Sequence, residues 1–142
     1  MGILAEELGH YYATSKSSPD DWLDKTEKLI EGHGGKVLVR SYGKAEGSAA
    51  YLIGFLLDGR RYKIVWPVLP TKKSEQAARI QATTMMYHDV KAKIMVAAVL
   101  GNRAAFFQYM MLDDGRTVTE VADPELAIVL PDLNMPLLTS GE

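Results

Sequence analysis

The chain has 142 residues, 47% hydrophobic and 24% charged, with no cysteine. That is the composition of one ordinary domain spanning 1–142. It excludes a disordered chain, a collagen-like chain, a coiled-coil rod, disulfides, thiolate metal sites and cysteine nucleophiles. The net charge of −2 hides an uneven layout: residues 1–35 carry −4, residues 36–103 carry +8 from twelve bases and four acids, and residues 104–142 carry −6.

Residues 3–13 predict a short first helix with Ile3, Leu4, Leu8 and Tyr11 or Tyr12 on its apolar side, weakened by Gly9. A second helix is predicted over 19–32. Ser18 caps it, Pro19 suits its first position, Asp20 and Asp21 favour its positive end, and Gly32, Gly34 and Gly35 stop it. Residues 36–43 are β-branched and alternating, which predicts a strand, followed by a loop over 44–48. Two further strands, 49–57 and 60–66, flank Asp58-Gly59, a strong hairpin signal. A two-residue turn there pairs Leu57 with Arg60, Phe55 with Tyr62, Ile53 with Ile64 and Tyr51 with Trp66 on one face. Leu52, Gly54, Leu56, Arg61, Lys63 and Val65 then share the other. Pro67 and Pro70 are expected to end the sheet.

Residues 75–100 lack glycine and proline and follow Ser74, which predicts one long helix. Its buried stripe runs through Ala77, Ile80, Thr84, Tyr87, Val90 or Lys91, Ile94 and Ala97. Its end, IMVAAVL, is apolar on every side, so it is expected to be either deeply packed or paired with another chain. Gly101 stops the helix, Asn102 caps a short helix over 103–111, and Asp114-Gly115 makes a turn. A last helix is expected over 124–130, with an irregular tail whose MPLL docks on the body. The fold class that follows is α+β: a three-stranded or slightly larger antiparallel meander packed on one long helix, with flanking terminal helices.

The basic middle is the footprint expected of a phosphate-binding surface. Ordinary pairing with the acidic ends is the competing reading. On the hairpin, the aromatic face of Tyr51, Phe55, Tyr62 and Trp66 can stack bases or form the core. The aliphatic residues beside them favour core, leaving Arg61 and Lys63 to solvent. If Arg40 and Tyr42 share that outer face, cations would hold phosphates while a ring stacks a base, with Gly54 allowing a backbone to come close. Lys72, Lys73 and Arg79 lie at the mouth of the long helix, where phosphates are attracted, although no glycine-rich cradle precedes it.

The candidate nucleic-acid-binding residues are therefore Arg40, Tyr42, Arg61, Lys63, Lys72, Lys73 and Arg79. His10, His33 and His88 have no metal-ligand spacing, and Asp113-Asp114-Gly115 lacks the further ligands of a calcium loop. No hydrolase elbow is present, so no catalytic residue and no cofactor is assigned.

The motifs YKIVWP, VKAKI, LDDGRTVTE and NMPLL, spread over roughly residues 60–138, resemble those of small proteins encoded by bacterial phages and integrated elements. The resemblance implies a mobile-element setting and no particular chemistry. The order of three strands and a long helix is similar to that of small single-strand DNA-binding folds of the Whirly type, an analogy of fold.

The expectation is a non-enzymatic accessory protein that binds nucleic acid, single-stranded DNA above all, in phage or element replication and recombination. The alternative is a protein-interaction module, a homodimer or a binder of a host protein, built on IMVAAVL and FFQYMML. A metal-dependent nuclease is third. No apolar run approaches the roughly 18 residues of a membrane span, and MGILAEELGHYY lacks the regions of a signal peptide, so a cytoplasmic protein is expected.

Overall fold

In the computed structural model, which describes residues 3–12, 16–45 and 47–125, the element order is α1 (Ala5–Leu8), α2 (Pro19–Gly32), β1 (Lys36–Ala45), β2 (Ser48–Leu57), β3 (Arg60–Val68), α3 (Glu75–Leu100), α4 (Asn102–Ala105), a 3-10 turn (Phe107–Tyr109) and α5 (Val118–Ala122). The strands form an open antiparallel sheet in the order β1-β2-β3, and the long helix packs against it. The architecture is the α+β meander read from the sequence.

Local chemistry accounts for the sharpest boundaries. The Ser18 hydroxyl accepts from the Asp21 amide at 3.1 Å while the Asp21 carboxylate accepts from the Ser18 amide at 3.0 Å, so α2 starts in a reciprocal cap. Ser74 caps α3 through the Ala77 amide at 3.1 Å. Asp58 and Gly59 have φ of 52° and 76°, the paired positive values of a type I′ hairpin turn. That turn sets the β2–β3 register: Leu57 opposite Arg60, Phe55 opposite Tyr62, Ile53 opposite Ile64 and Tyr51 opposite Trp66, as the sequence predicts.

Several boundaries differ. The first helix spans only Ala5–Leu8, because Gly9 turns to φ 79°. Only residues 46 and 47 separate β1 from β2, so the expected loop over 44–48 is largely strand. The sheet runs through Pro67 to Val68, since β3 is an outer strand and tolerates a missing amide donor. The expected helix over 103–111 is broken into α4 and the 3-10 turn. The expected helix 124–130 and the docked tail fall largely outside the described residues, whereas α5 lies earlier. A reciprocal Thr117–Glu120 cap starts it.

The core lies between one face of the sheet and the helices. Tyr51, Ile53, Phe55, Leu57, Tyr62 and Ile64 meet Leu23 and Ile30 of α2, Ala82, Met86 and Val90 of α3, and Phe106. Phe55 stacks on Tyr62 at 5.4 Å, and Phe106 meets both rings edge-on. The opposite face is not a bare solvent face: Ala50 and Leu52 are fully buried there, with Val39 and Val65 half-buried beside them.

Candidate functional site

The seven candidate cation and ring residues are not gathered on one surface. Arg40 and Tyr42 pair with Ile53 and Tyr51, which puts them on the core face, opposite to Arg61 and Lys63. The proposed mixed platform of Arg40, Tyr42, Arg61 and Lys63 therefore does not form. Arg40 points instead at α2, where its guanidinium meets Asp24 at 2.7 Å and Glu27 at 2.9 Å. Partial burial opposes its charge, but the two carboxylates outweigh that and hold its pKa above the ordinary arginine value.

Tyr42 and Arg79 are likewise engaged inside the fold. The Arg79 guanidinium lies 4.1 Å above the Tyr42 ring, and its Nε donates to the Tyr51 hydroxyl at 2.6 Å. The Tyr42 ring packs against Tyr51 at 4.9 Å. Burial raises the Tyr51 hydroxyl pKa despite the Arg79 charge.

Lys63 corrects the expectation most sharply. It is 1% exposed, not solvated, and its Nζ donates to the Gly115 carbonyl at 3.1 Å with Glu120 at 3.5 Å. A buried ammonium needs such partners, and the segment after Met110 supplies them by adding itself to β3: the Met111 amide donates to the Arg61 carbonyl at 2.9 Å. Gly54 is filled from within too. A Cβ there would lie 2.8 Å from Val39 Cγ1, so it admits β1 rather than a ligand backbone.

Three candidates remain on the surface: Arg61, Lys72 and Lys73. Glu6 binds the segment that carries the second and third of these, accepting from the Lys72 backbone amide at 3.0 Å and from the Thr71 hydroxyl at 2.6 Å. The masking acids come from both acidic ends of the chain, Asp24 and Glu27 from one and Glu120 from the other. The sequence offered a signal for one of them, since Thr117-x-x-Glu120 is a capping pattern that places a helix and its acid near the turn at Gly115.

The histidines are apart as well. His88 stacks on Tyr11 at 5.2 Å, and His33 bonds Asn102 Oδ1 at 2.6 Å, while the Asn102 amide donates to Asp58 at 2.6 Å. Among the described residues no group of three or more His, Cys, Asp or Glu is placed to hold a metal ion.

The feature left over is the end of α3. From Ala77 to Val90 every residue of the helix but His88 is buried or half-buried; beyond Val90 the body covers only one side. Asp89 marks the border, taking the Tyr109 hydroxyl at 2.7 Å and Lys93 at 3.1 Å. Burial first, and then Asp89, pushes the Tyr109 hydroxyl pKa upward, so the phenol stays protonated. Past that border Ile94 and Ala97 still pack inward, but Met95 is 67% exposed, Val99 82% and Leu100 65%, with Val96 and Phe107 exposed as well. Residues 94–101 contain no charge. The deep packing that the sequence allowed for this segment is not found within the chain.

Comparison with protein-family models, with curated proteins and with solved structures finds no match. No helix among the described residues is long and apolar enough to cross a membrane.

Proposed function

We propose that the protein is a non-enzymatic interaction module that binds another polypeptide through the protruding end of α3. One observation carries the reading: the last ten residues of a helix capped at both ends expose methionine, valine and leucine, with no charge among residues 94–101. Scattered exposed apolar residues are ordinary, but several on one helix end are what a partner surface presents. Methionine adds an adaptable contact there. The cysteine-free composition suits a cytoplasmic setting.

The polyanion reading is left with fewer residues. Arg40, Tyr42, Lys63 and Arg79 have internal partners, and Arg61, Lys72 and Lys73 remain exposed. If those three each neutralised one phosphate of single-stranded DNA, the salt slope would be only about 2.

The test compares the wild-type chain with Val99→Glu, an exposed-site change that leaves the core intact. Sedimentation and affinity retention of polypeptides are measured for both. Association of wild type, with itself or with a retained polypeptide, that Val99→Glu abolishes is the expected result. Identical behaviour of the two chains overturns the reading. So does tight binding of a single-stranded oligonucleotide that Arg61→Ala abolishes and Val99→Glu leaves intact.

A further inference from the structure

We infer that the polypeptide seated on the end of α3 is a second copy of this chain, packed antiparallel to the first about a two-fold axis between Met95 and Val96. The inference rests on the interaction reading and adds to it the identity and direction of the partner.

The exposed face supplies the pattern. Ala92, Met95, Val96 and Val99 are all exposed and recur at i, i+3, i+4 and i+7, so they form one strip along the helix. A two-fold contact uses the same patch on both copies and must be self-complementary. With the axis between Met95 and Val96, Met95 meets the partner's Val96 and Ala92 meets the partner's Val99. The smallest side chain of the strip then faces the most exposed valine, which lets each helix set a ridge into the other's groove at the usual 8–10 Å separation.

Charge selects the direction. The last turn of α3 carries no basic residue to meet the negative end of its dipole, and the next one in the chain, Arg103, lies beyond the stop at Gly101 in α4. Lys91 is exposed one residue before the strip. The antiparallel register sets Lys91 opposite the partner's Leu100, where its ammonium meets the carbonyl end of the partner helix, and the exchange occurs twice. A parallel pair would instead bring the two Lys91 side chains together at one end and two negative helix ends together at the other. Lys93 does not disturb the strip, because Asp89 holds it on the body side.

The chain has no cysteine, so single-cysteine variants report geometry without background. Full-length Ala92→Cys and Val99→Cys chains are mixed and treated with a short thiol cross-linker, with Gln76→Cys at the far end of α3 as control. The mixed Ala92→Cys/Val99→Cys product should form at least several-fold faster than either variant with itself. Faster Ala92→Cys self-linking overturns the antiparallel arrangement, and rates equal to the Gln76→Cys control overturn self-pairing. Lys91→Gln should raise the dimer dissociation constant by about 3–30-fold, from two helix-end contacts, while Lys91→Arg stays near wild type; no change for Lys91→Gln overturns the charge argument. A wild-type chain that sediments as a monomer at high micromolar concentration, yet retains a polypeptide that Val99→Glu does not, sinks the second copy and leaves the interaction module standing.

Discussion

Val90 and Val99 belong to one helix, yet Val90 is fully buried and Val99 is 82% exposed. The contrast extends to the two parts of α3 around them. In the first part even polar residues are buried: Gln81 donates to the carbonyls of Ala5 and His10, both at 3.0 Å, and Thr83 and Thr84 bond back to the Ile80 carbonyl. In the second part even valine, methionine and leucine face outward. Burial along α3 therefore follows what covers the helix, not the hydrophobicity of the residue. Polar groups enter the core where backbone acceptors await them, and apolar groups stay outside where the body ends. That inversion is the reason to place function at the helix end.

The largest effects test the embedded part. Met86 is fully buried among Tyr51, Phe55 and their neighbours, so Met86→Ala should lower unfolding stability by about 2–5 kcal/mol in a urea titration. Val90→Ala removes two methyl groups' worth of packing and should cost about 1–3 kcal/mol. Losses under 1 kcal/mol at both sites would mean that this part of α3 is no more core than its end.

Gln81→Leu sharpens the comparison by keeping the volume and removing the donor. The His10 carbonyl then loses this donor and the Ala5 carbonyl keeps only the Gly9 amide at 3.1 Å, for an expected loss of about 1–3 kcal/mol. The local readout is hydrogen exchange at the Ala5 amide, which donates to the Pro70 carbonyl at 2.8 Å. Its protection should fall more than that of the β2 amides. A uniform change across the fold would show that Gln81 does not hold α1 on the helix.

Glu6 offers a smaller, pH-dependent handle on the same cover. The Thr71 hydroxyl foremost, and the Lys72 amide with it, hold its carboxyl below the ordinary glutamate value of 4.5. A depressed folded value means that the group stabilises the fold above the unfolded value and loses that contribution as pH falls through the lower, folded value. Wild type minus Glu6→Gln, followed as Tm against pH, should therefore show a small advantage at neutral pH that shrinks below 4.5. An advantage that grew on acidification would contradict the bonding seen at Thr71.

The legible parts of this molecule are local. Asp58-Gly59 dictates its own turn and so the register of two strands, and Ser18 and Ser74 mark helix starts through bonds three residues long. The face of β1 was not legible, because treating 44–48 as a loop left its register open. The two-residue connection fixes Arg40 opposite Ile53, and a bulge between Val37 and Val39 turns Val37 toward the core and Val39 toward Gly54. Lys63 was unreadable for another reason: its partners at Gly115 and Glu120 arrive from a distant segment, and although the Thr117–Glu120 pattern announces a helix there, it does not announce that the segment joins β3. The apolar end of α3 was visible as a composition, but only the position of the body shows which side is left open.

The smallest expected effect is the most telling. Val99→Ala makes the same chemical change as Val90→Ala, nine positions further along the same helix. At concentrations where the chain is monomeric, its effect on stability should stay within about 0.5 kcal/mol, on the stabilising side because alanine is the better helix former. Where the chain self-associates, the sign should reverse. Wild-type Tm should rise with protein concentration through mass action, and Val99→Ala should flatten that rise, since it removes contact area only from the associated state. A Val99→Ala chain that loses as much stability as Val90→Ala at every concentration would mean that the helix end is already covered within one chain, and the case for a partner there would fall with it.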